Sequence, residues 1–98
     1  MTGTERSSGN LDIRRRKALF RSWHRGTREM DLVLGRFADA ELEVLSDDEL
    51  TQYEELMEHP DVTLFSWLAQ DAPAPKEVET PVFKRIKAFY ATGRAVER

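Results

Sequence analysis

The chain has 98 residues and a mass of 11.4 kDa, which suits one small domain with a single modest core. It has no cysteine, so disulfides, thiolate metal ligands and a cysteine nucleophile are excluded. A net charge of −3 hides a strong asymmetry: residues 1–36 hold nine Lys/Arg against four Asp/Glu, residues 37–79 one against thirteen, and residues 80–98 five against one.

Only 40% of residues are apolar and 34% are charged, a balance that several thin amphipathic helices produce. The longest apolar run is Ala88 to Ala91, far short of the ~20 residues of a membrane span. The first ten residues carry Glu5 and no apolar stretch, so no secretory signal is expected. The expectation is a soluble, bacterial cytoplasmic protein without membrane insertion.

Residues 1–10 are Ser/Gly/Thr-rich and are expected to form a disordered tail. Asn10 is the expected N-cap of a first helix over Leu11 to His24, with Ile13, Leu19, Phe20 and Trp23 as an imperfect apolar stripe among arginines. Gly26 ends it, because glycine reaches the left-handed conformation cheaply. A second helix starts near Thr27. Met30, Val33, Leu34 and Phe37 fall at i, i+3, i+4 and i+7, and Leu42 and Leu45 extend it toward Ser46. Gly35 and Arg36 are expected to bend it.

Ser46-Asp47-Asp48-Glu49 has the capping-box pattern of a third helix, which presents Leu50, Tyr53, Leu56 and Met57 inward and ends near Glu58. Pro60 punctuates. A fourth, most apolar helix covers about Asp61 to Gln70. Ala72-Pro73-Ala74-Pro75 is an extended connector. Thr80-Pro81 starts a fifth helix that presents Val82, Phe83, Ile86, Phe89 and Tyr90, and Gly93 is expected to end it. No segment alternates like a strand. The expected architecture is an all-α bundle of about five short helices, with the domain over 11–93 and a C-terminal tail over 94–98.

The side chains offer little chemistry. His24 and His59 are the only histidines, and neither belongs to a nucleophile–base–acid pattern. Glu54, Glu55, Glu58 and His59 lack a matching Glu-x-x-His on a partner helix, so they read as a solvated face. There is no phosphate loop or dinucleotide fingerprint. The run Arg14-Arg15-Arg16-Lys17 could contact phosphates, which gives a nucleic-acid-binding or regulatory module as the alternative function. A sequence pI near 5.4 argues against it, and a solvated helix face explains the run better.

Arg25-Gly26-Thr27-Arg28-Glu29-Met30-Asp31 carries the most information. A purely structural account has Arg25 complementing the end of the first helix, Gly26 capping it, Glu29 favouring the start of the second, and Arg25 pairing with Glu29. A functional account notes that a guanidinium, a carboxylate and an exposed glycine backbone gather at one tight corner. Such a corner without a pocket suits a macromolecular partner. The residues alone leave both accounts open.

R-G-x-x-E, in bacteria commonly followed by x-D, is the hallmark of the succinate dehydrogenase flavinylation (assembly) factor family. The sequence resembles that family through Arg25 to Asp31, through Leu45-Ser46-Asp47-Asp48-Glu49, and through Leu64-Phe65-Ser66-Trp67-Leu68, covering about Ile13 to Phe89. His24 and Met30 depart from its commonest pattern. The resemblance implies a helical assembly chaperone rather than an enzyme. Its client would be the flavoprotein subunit of succinate dehydrogenase, and of fumarate reductase where one exists. It would promote covalent attachment of FAD to a client histidine, holding no cofactor stably itself. It implies Arg25, Gly26 and Glu29 as the client-facing corner, with Asp31 beside it and His24 and Arg28 flanking. The expected assembly is a monomer that forms a transient heterodimer, with no nucleic-acid partner.

Overall fold

Asp12, not Asn10, caps the first helix. In the computed structural model, which describes residues 11–92, helix α1 runs over Ile13–Ser22, and the Asp12 carboxylate accepts a 2.8 Å hydrogen bond from the Arg15 amide. Leu11, expected as its first residue, instead lies before it and is buried in the core. Helix α2 runs over Arg28–Glu41, and the Thr27 hydroxyl accepts from the Met30 amide at 3.2 Å. A short 3-10 turn, Leu42–Val44, replaces the expected continuation toward Ser46.

Helix α3 covers Asp47–Leu56, and its capping box forms as expected: Glu49 N donates to Ser46 Oγ at 3.1 Å and Ser46 N to Glu49 Oε1 at 2.9 Å. Helix α4 covers Asp61–Leu68. A 3-10 turn at Lys76–Val78 follows the proline connector. Helix α5 covers Pro81–Ala91, with Thr80 as its N-cap. Five α-helices and no strand are present among the described residues. Asn10, Gly93 and both expected tails lie outside those residues.

The core gathers one face from every helix. Met30, Val33, Leu34 and Phe37 of α2 form its centre, with Leu50 and Tyr53 of α3, Leu64 of α4 and Val82 and Ile86 of α5 around them. The expected α1 stripe is only half right. Leu19 and Trp23 are buried, but Ile13 and Phe20 are 63% and 62% exposed. A ten-residue helix on the surface has one narrow inward stripe, and Ala18, Leu19 and Ser22 occupy it.

Gly35 does not break α2, which continues through it. The glycine supplies room. A Cβ there would lie 2.5 Å from Cε2 and 2.7 Å from Cε3 of Trp23, inside van der Waals contact. The indole lies against α2 at Gly35 and its Nε1 donates to Asp39 Oδ1 at 3.3 Å. This close packing fixes α1 on α2 and so sets the angle of the corner between them.

Candidate functional site at the first interhelical corner

The corner is His24 to Glu29, where the chain leaves α1 and enters α2. Gly26 has φ of +123°, a conformation L side chains rarely adopt. A Cβ added there would sit 3.4 Å from Asp61 Oδ2, so the start of α4 lies directly behind the turn.

Arg25 turns inward. Its Nε donates to Asp61 Oδ1 at 2.7 Å, its Nη1 to the Met57 carbonyl at 2.7 Å and its Nη2 to the His59 carbonyl at 2.8 Å. Its side chain is only 11% exposed. The expected Arg25–Glu29 pair does not form, nor does the guanidinium serve the end of α1. The carbonyls at the end of α3 present a convergent set of acceptors, and the planar guanidinium fork fits them. Asp31 is half-buried, and its Oδ1 accepts from the Arg25 amide at 2.6 Å. Arg25 and Asp31 are therefore the fasteners of the corner.

The outward members are His24, Gly26, Arg28 and Glu29, all exposed. Arg28 and Glu29 make no hydrogen bond or ion pair among the described residues. His24 stacks on Phe20 with ring centroids 3.9 Å apart, and its Nδ1 lies 2.6 Å from the Phe20 carbonyl, which can only accept. The structure thus brings the sequence-selected residues together but splits them into two that hold, Arg25 and Asp31, and four that face out.

Beside the corner lies a groove of about 410 Å³ between the start of α2 and α4. Thr27, Glu29 and Met30 form one wall, and Asp61, Val62, Phe65 and Gln70 the other. Sequence reasoning missed the α4 wall. Asp61 carried only a helix-start signal, and no spacing rule joins it to a motif 36 residues earlier. Of the two carboxylates in its walls, Asp61 is neutralised by Arg25 and Glu29 is unpaired.

Half of the basic run, Arg14 and Arg15, is consumed within the fold. Arg14 donates to Glu54 and Thr51 at 2.7 Å each, and Arg15 to Asp12 and to the Leu42 and Leu45 carbonyls. Arg21 pairs with Glu58 at 2.9 Å. The hydrogen bond from Arg14 holds the Glu54 carboxyl below the usual carboxylate range. At the other end, Arg85 pairs with Glu41 and Glu49, and Lys87 with Asp71 at 2.6 Å. The basic–acidic–basic order of the sequence is therefore mostly a register between helices. It does not leave four free cations for phosphates.

A family model described as the flavinator of succinate dehydrogenase matches residues 16–90. The chain belongs to this flavinator family. The matched span contains the whole corner, the groove and all of α2 to α4. The FAD assembly factor SdhE of Acetobacter pasteurianus is 42% identical over 77 residues, covering 79% of this chain and 71% of that protein. The mitochondrial succinate dehydrogenase assembly factor 2 of Caenorhabditis elegans is 34% identical over 92 residues, covering 91% and 77%. That of Dictyostelium discoideum is 38% identical over 73 residues, where the chain spans 52% of the relative's length. These flavinator relatives carry the names of assembly factors and not of enzymes, as the resemblance implied. No helix among the described residues is long and apolar enough to cross a membrane.

Proposed function

We propose that this protein binds the flavoprotein subunit of succinate dehydrogenase, and of fumarate reductase where one exists, and promotes covalent attachment of FAD to it. One observation supports this reading: the Gly26 corner is exposed, while Arg25, Asp61 and Asp31 hydrogen-bond behind it. A surface ordered before binding loses little entropy when a partner docks.

The protein's share of the work is then positional. Glu29 and Arg28 offer opposite charges to the client, and Gly26 lets a client backbone approach closely. Docking favours the client conformation in which its histidine and the flavin are aligned, and the bond is made by those two groups. The factor holds no FAD stably; the description of the matching family as a flavinator supports this. The working unit is residues 11–93, acting as a monomer that forms a transient heterodimer in the bacterial cytoplasm.

The test is covalent flavin on the client. Deleting the gene should strip flavin fluorescence from the denatured flavoprotein subunit, and adding back the protein should restore it. Unchanged fluorescence in the deletion strain sinks the proposal. The nucleic-acid alternative gains no support, because Arg14 and Arg15 are spent on Glu54, Asp12 and backbone carbonyls.

A further inference from the structure

Away from the corner, α1 turns an apolar and basic stripe to solvent. Ile13 and Phe20 are 63% and 62% exposed, and with Arg16, Lys17 and Arg21 they line a shallow depression of about 480 Å³. Arg16 and Lys17 have no ion-pair or hydrogen-bond partner among the described residues, unlike Arg14 and Arg15 on the helix's other edges. Ile13 and Phe20 stand two helical turns apart, roughly 10 Å along the axis. Two large apolar side chains flanked by unpaired cations have no role in the core, and exposing them has a cost that covering them would remove.

We propose that this face of α1 is a second docking surface, which takes an acidic segment of the flavoprotein client carrying two apolar side chains about 10 Å apart. Charge complementarity names the chemistry: Arg16 and Lys17 seek carboxylates, while Ile13 and Phe20 seek apolar cover. Continuity supports the location. His24 stacks on Phe20 and is itself the first residue of the corner, so the stripe and the corner form one unbroken surface. The inference rests on the flavoprotein being the client.

Two other occupants fit less well. A nucleic acid would find one face of the Phe20 ring already covered by His24 and only two unpaired cations for its phosphates. A bilayer would gain little from two apolar side chains on a ten-residue helix in a protein of net charge −3.

The experiment titrates the full chain against the purified flavoprotein subunit at low and high salt. It compares wild type with Ile13→Ser/Phe20→Ser, with Arg16→Glu/Lys17→Glu, and with the corner variant Gly26→Arg. Circular dichroism checks that each is folded, which exposure of all four α1 residues favours. Both α1 double variants should bind at least about tenfold more weakly, and the charge reversal should also flatten the salt dependence. Binding within twofold of wild type by both, with Gly26→Arg defective, overturns the second surface and leaves the corner standing. No binding by wild type overturns the client itself, and this inference with it. Loss of binding to phosphatidylglycerol vesicles or to single-stranded RNA, with flavoprotein binding intact, overturns it in favour of those partners.

Discussion

The Arg25 guanidinium and the Asp61 carboxylate meet at 2.7 Å across 36 residues of sequence, with side chains only 11% and 16% exposed. This pair ties the corner after α1 to the first turn of α4, and the Met57 and His59 carbonyls complete the socket. Removing one member strands the other away from water. Arg25→Ala and Asp61→Ala should each lower stability by roughly 2–4 kcal/mol in urea melts. Arg25→Lys should recover little, because one ammonium nitrogen cannot replace three separate guanidinium nitrogens that each reach a different acceptor. A wild-type melt for either alanine variant would show that the socket contributes nothing.

Gly26 separates folding from function. Its φ of +123° makes any side chain there strained, at about 1–3 kcal/mol, but the residue is exposed and outside both helices. Gly26→Arg should keep its helical circular dichroism at 25 °C while losing binding to the flavoprotein subunit. If the variant is unfolded, glycine serves as a structural cap only.

Gly35→Ala should be more damaging to the fold than Gly26→Ala, although alanine is the better helix former. The added methyl would meet the Trp23 ring at 2.5 Å, so the indole must leave its seat. A loss of roughly 2–3 kcal/mol and a shift in tryptophan emission are expected; a stabilised variant contradicts the close packing described above.

Tyr53 sets the alkaline limit. It is fully buried, its hydroxyl lies 2.5 Å from Ser22 Oγ, and it donates to the Leu34 carbonyl at 3.3 Å. Burial pushes the phenol well above its ordinary range. A raised native pKa means the unfolded chain releases this proton first. The stabilisation is complete below pH 10 and is lost as pH rises beyond it, by up to ~1.4 kcal/mol per pH unit. Tyr53→Phe should cost about 1–2 kcal/mol at neutral pH and flatten that alkaline slope. An unchanged slope above pH 10 would place its origin elsewhere.

Val62 tests the groove wall that the motif does not contain. It is 82% exposed on α4, so Val62→Asp should leave the melting temperature within a few degrees of wild type. Client binding should nevertheless fall about tenfold, since a third carboxylate joins Glu29 and Asp61 in one groove. Unaltered affinity would confine the interface to the corner itself.

Local rules carried the sequence a long way. The 3.6-residue period of Met30 to Phe37 and the caps at Thr27, Ser46 and Thr80 act within a few residues, so five helices, their order and the all-α class were legible. The R-G-x-x-E residues were legible as a motif for the same reason. What only the tertiary structure decided was direction. Arg25 faces in and Glu29 faces out because the carbonyls of Met57 and His59 converge on one and not the other. Asp61 and Val62 joined the site, Phe20 and Ile13 left the core, and Arg14 and Arg21 of α1 found Glu54 on α3 and Glu58 just after it, all through contacts between residues distant along the chain. Periodicity reports which face of a helix is apolar. It does not report which neighbour that face will meet, because helix packing and side-chain ion pairs are settled only when all five helices close on one another.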